Sequence, residues 1–384
     1  MISSKHDRIR GTILGGALGD AVGLFTEFMS RREATSIYGP NPKFKLKPPV
    51  PEGFQGVHLD YHRTLFDRGD FTDDTDLSLL TLMSFLNKGG PTDAGIDALD
   101  YAQRLRNWVS YGFVPLGKLP VDIGNTIRTV ANSPNYVNAP VEIAKSVWES
   151  GGKRNAANGA VMRIPIVGAL LFNDEKRLYS SAINLASTTH ADPRCLVSCT
   201  IMVGLIAALI RGEVHNDEDI RVIVQRGIDV LESHDTPLEK KHKDELNKLI
   251  WQDSLADLRL GDRMAMGYTY KCLASAIWAL RQALELAGAS KEQDLQNLGS
   301  LVYQKLITDI TMAGGDSDTN AAVAGSALGA FFGHSNLHKP WLDDLRNADW
   351  LLSKADAAAY LILGEGDHYD PLSDMDTRIE AETR

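Results

Sequence analysis

The chain has 384 residues, of which 43% are hydrophobic and 23% charged, an ordinary composition for a globular protein with a sizeable core. Its formal net charge of -10 argues against a nucleic-acid scaffold, because an acidic surface repels the phosphate backbone, but it does not exclude a small anionic ligand held through metal ions. The three cysteines, Cys195, Cys199 and Cys272, are odd in number and give no sign of a disulfide framework, which favours a reducing compartment.

Helical periodicity dominates the chain, and the alternation that is typical of strands is nearly absent. Segments with a helical pattern lie near residues 8–24, 74–87, 92–110, 139–149, 157–172, 175–188, 193–211, 217–231, 266–287, 294–312 and 318–332. We therefore predict an all-α fold, a compact orthogonal multi-helix bundle. Because no linker divides the chain, residues 1–364 are predicted to form a single domain, with a monomer as the default state.

The remaining segments differ in composition. Residues 38–69 are rich in proline, which removes backbone donors that a helix needs, and long ordered loops are often lids or binding loops. The polar residues 365–384 are predicted to form a C-terminal tail whose composition is compatible with disorder. The apolar run from Leu196 to Ile210 is too short to span a bilayer comfortably, so we expect a buried helix and no membrane association. The polar start of the chain lacks the pattern of a signal peptide, so we expect a cytoplasmic protein, with the nucleus or another reducing compartment as the alternative.

Two predicted helices are unusually rich in small residues. One contains residues 15–23 (GGALGDAVG) and the other residues 321–330 (AAVAGSALGA). A glycine inside a helix costs roughly 1 kcal/mol relative to alanine, so its repetition needs a reason. Close approach of two backbones at the centre of the bundle is a sufficient one.

Two acidic clusters come directly before predicted helices. Residues 71–76 (FTDDTD) are explained, when taken alone, by helix capping and by the preference of the helix dipole for acids in the first turn. The same explanation applies to residues 313–320 (AGGDSDTN). There, however, the Gly-Gly pair permits backbone conformations closed to other residues, and Asp316 and Asp318 can turn both carboxylates toward one point.

Together the clusters offer carboxylates and threonine hydroxyls, which are hard oxygen ligands suited to Mg²⁺, Mn²⁺ or Ca²⁺. No Cys/His spacing accompanies them, which argues against structural zinc. If the two helices packed side by side, their N-termini would form one binuclear metal site, since grouped carboxylates repel each other unless cations lie between them. Sequence spacing alone does not show that the helices meet.

Five blocks of sequence occur in one order: residues 15–28 (GGALGDAVGLFTEF), 72–76 (TDDTD), 158–163 (NGAVMR), 190–193 (HADP) and 314–333 (GGDSDTNAAVAGSALGAFFG). Together they resemble the ADP-ribosylglycohydrolase family, of the dinitrogenase-reductase-activating glycohydrolase type. The resemblance extends from about residue 8 to residue 333. It implies a compact all-α fold with two Mg²⁺ or Mn²⁺ ions at its centre.

The resemblance also implies a ligand set. Carried over by motif, the metal ligands are Thr72, Asp73, Asp74, Asp316, Asp318 and Thr319, which agrees with the ligand chemistry argued from the residues. Ser317 replaces the middle threonine of the usual family motif, and we expect little effect because that position is not a ligand. Ser317 and the adjacent Gly315 are predicted to contribute to ligand binding.

Two further acids are candidate catalytic residues. Glu27 follows the small-residue block and comes shortly before the proline-rich loop. The ordinary interpretation of such a residue is a solvated charge. The resemblance implies instead a catalytic or gating role. Asp122 lies in a Val-Asp-Ile-Gly turn that resembles a ribose-contacting turn of the family, with a helix N-cap as the equal alternative. Gly124 would let backbone amides approach the ligand. Asp74 and Asp318 are predicted to act in catalysis as well as in metal binding.

The resemblance places another group of residues against ADP-ribose: Asn158, Gly159, Ala160, Met162 and His190. Amides at a helix N-terminus suit anion binding, and a helix start capped by Asn158 is compatible with that role. Arg163 could meet a phosphate, although a structural ion pair is favoured slightly, and Asp192 is expected to cap the helix after Pro193. His190 is either a satisfied buried group or a hydrogen-bonding partner of the ligand.

These residues predict a hydrolase that releases ADP-ribose from ADP-ribosylated protein side chains or small ADP-ribose conjugates, by attack of a metal-activated water at the anomeric carbon. Two alternatives remain open. One is a metal-dependent hydrolase of another bond in an ADP-ribose derivative, such as ADP-ribose phosphate. The other is a protein that binds ADP-ribose without turnover.

Overall fold

The computed structural model describes residues 3–234, 236–288 and 295–379, and within these ranges the chain forms helices and isolated β-bridges but no strand. The all-α prediction is confirmed. The first eight helices are α1 (Lys5–Gly23), α2 (Arg31–Tyr38), α3 (Asp73–Asn87), α4 (Ala98–Tyr111), α5 (Asn125–Ala131), α6 (Pro140–Ser150), α7 (Pro165–Leu170) and α8 (Glu175–Ser187). The other eight are α9 (Pro193–Arg211), α10 (Asp217–Ser233), α11 (Lys240–Ile250), α12 (Thr269–Gly288), α13 (Leu295–Thr311), α14 (Ser317–Phe332), α15 (Lys339–Asp344) and α16 (Ala348–Leu363).

Most predicted helices lie close to their predicted positions, with two clear corrections. The predicted helix at 157–172 is wrong over its first half, because residues 158–163 form turns and α7 begins only at Pro165. Pro165 lacks the N–H that a helix running through it would need, and the Asn158 N–H donates across to the Gly267 carbonyl (3.0 Å) instead of within a helix. The predicted helix at 92–110 begins late, at α4, where the Asp97 side chain caps two backbone amides. The predicted start at residue 294 lies outside the described residues.

Helix α9 is the apolar segment that was expected to be buried. It is long and apolar enough to cross a membrane by composition, yet 89% of its most apolar window is buried inside the protein. It packs against α7, α8, α10 and α12. This burial confirms the prediction of an internal helix.

The two small-residue helices, α1 and α14, form the closest helix pair of the described structure. A Cβ added to Gly15 would lie 2.5 Å from the Gly325 carbonyl oxygen, and one added to Gly19 would overlap the Ala321 carbonyl. Glycines on both helices therefore let the two backbones touch, as predicted from their sequences. The contact continues to Gly23, which lies against Asp318 at the start of α14, so the pair brings the end of α1 to the second acidic cluster.

The proline-rich segment 38–69 folds against the end of α1. The Tyr38 hydroxyl donates to the Phe25 carbonyl (3.0 Å) and accepts from the His58 amide (2.8 Å). A short 3₁₀ helix, Arg63–Leu65, follows, and the buried Arg63 guanidinium donates to the Leu24 carbonyl (2.8 Å). The segment thus lies beside the first acidic cluster.

The residues after α16 contact the helical body as far as they are described. Thr377 is buried and accepts a hydrogen bond from Arg104 through its carbonyl (2.7 Å), and Asp374 pairs with Lys354 (2.6 Å). Residues 380–384, the end of the predicted tail, lie outside the described residues. The division into a domain at 1–364 and a tail at 365–384 stays a prediction.

Candidate active site and metal centre

The two acidic clusters meet at the N-termini of α3 and α14. The Thr319 hydroxyl donates to Asp74 Oδ2 at 3.0 Å, and the Thr72 hydroxyl lies 3.2 Å from the same oxygen. Carboxylate oxygens of Asp20, Asp74 and Asp318 all lie within 4.8 Å of one another. Two stretches of chain that are 245 residues apart therefore form one buried acidic centre.

The chemistry of this centre fits divalent cations. Asp74 Oδ1 and Asp318 Oδ1 are buried and have no hydrogen-bond partner among the described residues. Burial, followed by the neighbouring carboxylates, raises the pKa of Asp73, Asp74 and Asp318 well above the ordinary value. Cations between these side chains would offset the repulsion and bind the unpartnered oxygens.

Helix capping accounts for Thr72 in the first acidic cluster but not for Asp316 in the second. Thr72 is the N-cap of α3, where its side chain accepts from the Asp74 amide (3.3 Å). Asp316 occupies the N-cap position of α14 but makes no capping hydrogen bond there. Its Oδ2 instead accepts from the Asn158 side-chain amide (2.8 Å), so the Asp316 carboxylate is directed into the site.

A second group of side chains lies beside the acidic centre. His62 Nε2 lies 2.6 Å from Glu27 Oε2 and 3.7 Å from Asp122 Oδ2. Glu27 is also grouped with Asp316 and Asp318, with carboxylate oxygens within 4.8 Å of one another. Glu27 therefore lies between His62 and the acidic centre.

The pKa shifts in this second group follow from burial. Burial, and then the charges of Asp122 and Asp316, raise the pKa of Glu27 well above its ordinary value. Burial raises the pKa of Asp122, against the opposing effect of His62. Burial lowers the pKa of His62, against the opposing effect of Asp122.

A small pocket of about 160 Å³ lies over these groups. It is lined by most of the predicted site residues, namely Glu27, Asp73, Asp74, Asp122, Gly124, Asn158, Gly159, Met162, His190, Asp316, Asp318 and Thr319. His190 Nε2 is buried without a hydrogen-bond partner among the described residues, while its Nδ1 lies 2.8 Å from the Thr189 hydroxyl. Burial, and then Arg163, lower the pKa of His190 to about 3, so the ring is neutral.

Comparison with known proteins identifies the family of this chain. The sequence model of the ADP-ribosylglycohydrolase family matches residues 1–369. The chain belongs to the ADP-ribosylglycohydrolase family.

Curated relatives and a solved structure agree with this assignment. The chain is 23% identical to an ADP-ribosylarginine hydrolase of Serratia proteamaculans over 94% of the chain and 81% of that relative. It is 25% identical to the ADP-ribosyl-dinitrogen-reductase glycohydrolase of Rhodospirillum rubrum, over 89% of the chain and 91% of that relative. It is 22% identical to the ADP-ribosylhydrolase ARH3 of Homo sapiens, over 87% of the chain and 88% of that relative.

A solved chain described as an ADP-ribosylglycohydrolase-related protein complex has the same fold, with a TM-score of 0.58 and 21% identity over 94% of this chain and 99% of that one. Family membership and the curated relatives support a glycohydrolase that removes ADP-ribose. The acidic groups of this ADP-ribosylglycohydrolase could hold metal, as described above.

Some predicted site residues of the ADP-ribosylglycohydrolase do not line the pocket. Gly315 has φ +79 and lies against the Leu260 carbonyl, and its own carbonyl accepts from the Phe28 amide (2.7 Å). The Ser317 hydroxyl donates to the Gly23 carbonyl (2.8 Å), so it joins α14 to α1. Ala160 is buried and does not line the pocket. Thr72 contacts Asp74 without lining the pocket itself.

Several alternatives from the sequence are decided by the geometry. Asp192 caps α9 through the Arg194 amide, as predicted. Asn158 and Asp122 are not helix caps, because α7 begins at Pro165 and the N-cap of α5 is Gly124. The expected ion pair of Arg163 is wrong, because its guanidinium donates to neutral acceptors: the carbonyls of Gly159 (2.6 Å) and Leu185 (2.9 Å) and the hydroxyl of Thr189 (2.8 Å).

Among the residues around the site that the sequence did not predict, Asp20, Lys118 and His62 make the contacts that matter most for its geometry. Asp20 is fully buried and accepts from the amides of Thr72 (3.0 Å) and Thr75 (3.0 Å), so it holds the start of α3. Lys118 is buried against the same cluster, with Nζ 2.8 Å from the Phe71 carbonyl. His62 approaches from the proline-rich loop. Asp20 lies within the small-residue block that carries the family resemblance, which was the available signal, whereas Lys118 and His62 have none in the local sequence.

Proposed function

We propose that this chain is a divalent-metal-dependent hydrolase that releases ADP-ribose from ADP-ribosylated protein side chains or small ADP-ribose conjugates. Water attacks the anomeric carbon as the bond from that carbon to the acceptor breaks; the acceptor leaves with the proton that the water gives up, and free ADP-ribose is the other product. The observation that supports this most directly is the contact of Thr319 with Asp74, which groups both acidic clusters in one buried centre beside a pocket. The protein acts as a monomer in the cytoplasm or another reducing compartment, without a nucleic-acid scaffold or a membrane.

Two Mg²⁺ or Mn²⁺ ions are the proposed cofactors. Their ligands would be the carboxylates and hydroxyls of Thr72, Asp73, Asp74, Asp316, Asp318 and Thr319. When bound, divalent cations supply Lewis acidity, which polarises substrate oxygens and makes a water molecule easier to deprotonate near neutral pH. The buried oxygens of Asp74 and Asp318 that lack partners among the described residues support this assignment.

Glu27 is the proposed proton acceptor. Its side chain lines the pocket, lies next to Asp316 and Asp318, and has a raised pKa. Cations at the neighbouring carboxylates would offset the repulsion that contributes to this raised pKa, so that an ionised Glu27 could take a proton from the attacking water in the transition state. Asp122, on the same side of the pocket, is proposed to hydrogen-bond the ribose.

The opposite wall of the pocket is proposed to bind the rest of ADP-ribose. Gly159 and Met162 line it, and an added Cβ at Gly159 would lie 3.0 Å from the His190 ring, so only glycine leaves this passage open. The neutral His190 presents Nε2 to the pocket without a described protein partner, which suits a hydrogen bond to an uncharged ligand atom. Asn158 is already bonded to Asp316 and is proposed to hold that carboxylate as well as contact ligand.

The test is hydrolysis of three defined substrates by the full chain: ADP-ribosyl-arginine, an ADP-ribosyl-serine peptide and ADP-ribose phosphate. We expect release of free ADP-ribose from one or both of the first two. Inorganic phosphate from the third substrate alone would favour the alternative phosphoester hydrolase. Tight binding of ADP-ribose with no turnover of any substrate would favour the binder.

A second experiment tests the metals and the base. Removal of divalent ions with EDTA should abolish turnover, and Mg²⁺ or Mn²⁺ should restore it. Glu27→Gln should lower kcat by about 10²-fold or more, the ordinary contribution of a general base. Asp93→Asn is a matched control, because Asp93 is fully exposed and 3.9 Å from its nearest cationic atom. Undiminished turnover after complete chelation would refute the metal-dependent mechanism.

A further inference from the structure

His62 contacts the proposed base directly. Its Nε2 lies 2.6 Å from Glu27 Oε2, which is a short hydrogen bond to a side chain that is only 2% exposed. The His62 side chain is itself 19% exposed, so it lies between solvent and the buried carboxylate. Nothing in the sequence around residue 62 indicates this contact.

The position of His62 is fixed by its neighbours. Arg63, the next residue, is buried and donates to the carbonyls of Leu24 (2.8 Å) and Phe25 (3.1 Å) at the end of α1. It also donates to the Glu27 carbonyl, so the loop is joined to the backbone of the same residue whose carboxylate His62 contacts. The His62 ring lies between two aromatic rings, with its centroid 4.9 Å from that of Phe28 and 5.5 Å from that of Phe66.

This arrangement holds the imidazole more firmly than a surface histidine is held. The backbone bonds of Arg63 set the approach of the loop, and the rings of Phe28 and Phe66 limit rotation of the side chain. A hydrogen bond from a restrained donor limits the orientations of the carboxylate that accepts it. In catalysis such restraint matters, because displacement of a catalytic group by about 1 Å can cost 10²-fold in rate.

We propose that His62 is a positioning residue for Glu27: its Nε2–H donates to Oε2 and keeps the carboxylate at the pocket wall beside Asp316 and Asp318. The inference rests on the proposed function, in which Glu27 accepts the proton of the attacking water. It goes further by giving the segment 60–66 of the proline-rich loop a part in catalysis. Asp122 and Asp60 are the other acids that face His62, and Asp122 also makes a side-chain hydrogen bond with Glu27.

The experiment compares three substitutions of His62 in the full chain. His62→Leu removes the donor, whereas His62→Gln keeps an N–H near the position of Nε2. His62→Ala leaves space for added imidazole. The matched control is His58→Leu, because His58 is exposed on the same loop and only its backbone amide makes a described contact.

We expect His62→Leu to lower kcat by about tenfold or more, a part of the full contribution of a general base, while KM changes little. His62→Gln should keep most of the activity, imidazole should restore turnover to His62→Ala, and His58→Leu should resemble the wild type. Equal losses in the Leu and Gln variants without rescue by imidazole would overturn the proposal, since they would indicate packing alone. An unchanged kcat in His62→Leu would also overturn it.

Crystal structures of the wild type and His62→Leu separate this inference from the proposed function. A displaced Glu27 carboxylate in the variant would support positioning, and an unmoved carboxylate would overturn it, whether or not the protein turns over any substrate. Absence of turnover by the wild type on every substrate would refute the proposed function instead.

Discussion

The Thr319 hydroxyl donates to Asp74 Oδ2 over 3.0 Å, which joins the first turn of α14 to the first turn of α3. Both helices direct their N-termini at the acidic centre, and the positive ends of their dipoles favour negative charge there. That contribution does not offset burial, because the pKa of Asp74 and of Asp318 remains well above the ordinary value. The buried carboxyl groups of the acidic centre are therefore unfavourable in their ionised form, and divalent cations would stabilise that form.

The first prediction concerns stability against pH. A carboxyl group whose pKa is raised in the folded state favours the fold while it is protonated, and this contribution is lost as pH rises above the ordinary value of 3.8 toward the raised one. In EDTA, these carboxyls should thus lower the Tm progressively above about pH 4. Mg²⁺ should reverse this loss, so the Tm difference between Mg²⁺ and EDTA should widen from pH 4 to pH 8.

Matched variants make this prediction specific. Asp74→Asn and Asp318→Asn should each raise the Tm in EDTA at pH 8, because one buried charge is removed, and should each reduce the gain from Mg²⁺. Asp93→Asn, an exposed substitution, should change neither value. A Tm difference that stays constant from pH 4 to pH 8 would contradict the assignment of these carboxylates to a cation site.

Sequence patterns predicted helices whose physical cause is local, whereas the meeting of the two acidic clusters was predicted only by the family resemblance. Periodic apolar residues located α1, α3, α9 and α14, and the repeated glycines predicted the contact of α1 with α14. Helices α5 and α11 were missed: α5 has only seven residues, and α11 has three apolar residues among eleven, although they lie on one face. Helix α16 has periodic apolar residues as well, yet it was not among the predicted helices.

The parts of the site that were missed depend on contacts between distant segments. Asp20 holds the start of α3 from 52 residues away, and Lys118 reaches the Phe71 carbonyl from 47 residues away. His62 meets Glu27 only because Arg63 binds the loop to the end of α1. None of these contacts follows from the spacing of neighbouring residues, and the turns at 158–163 likewise begin with a bond from the Asn158 amide to the distant Gly267 carbonyl.

The second prediction tests the contact between the small-residue helices. Gly15→Ala should destabilise the protein by about 3 kcal/mol or more, at or above the usual cost of overpacking, because the new Cβ would lie 2.5 Å from a backbone oxygen. Gly288→Ala, at the end of α12, is the control, since no atom of the described residues, apart from its own helix, lies within 4 Å of its added Cβ. Urea denaturation of both variants provides the measurement. Equal stability of the two variants would show that α1 and α14 can separate without cost.

The third prediction concerns Lys118, a buried lysine beside the first acidic cluster. Lys118 Nζ lies 3.1 Å from Asp70 and 2.9 Å from Asp76, with all three side chains at most 5% exposed. Lys118→Met would leave buried carboxylates without this partner and should cost about 3–5 kcal/mol of unfolding free energy. Because the substitution also removes a positive charge beside the acidic centre, the folded variant should bind Mg²⁺ more tightly by calorimetry.

The control for Lys118→Met is a substitution in an exposed ion pair. Lys88 lies 3.4 Å from Asp97 and is 40% exposed, so Lys88→Met should cost less than about 1 kcal/mol and leave Mg²⁺ affinity unchanged. A Lys118→Met protein as stable as Lys88→Met would mean that Asp70 and Asp76 are satisfied by Arg346 and Trp108 alone.

The fourth prediction separates His190 from His62. Burial lowers the pKa of His190 to about 3, so this ring should not titrate between pH 5 and pH 8. His190→Gln should therefore lower kcat/KM by the same factor at every pH in that range, as expected for a lost ligand contact, whereas the His62 variants act through kcat. A His190→Gln effect on kcat/KM that disappears at one end of the pH range would indicate that this imidazole exchanges protons with the substrate.

The low pKa of His190 also has a consequence for stability. The unfolded chain takes up a proton near pH 6.5 that the folded ring does not bind, so His190 lowers the free energy of unfolding as pH falls below 6.5 toward 3. The Tm of His190→Gln should accordingly decline less than that of the wild type on acidification.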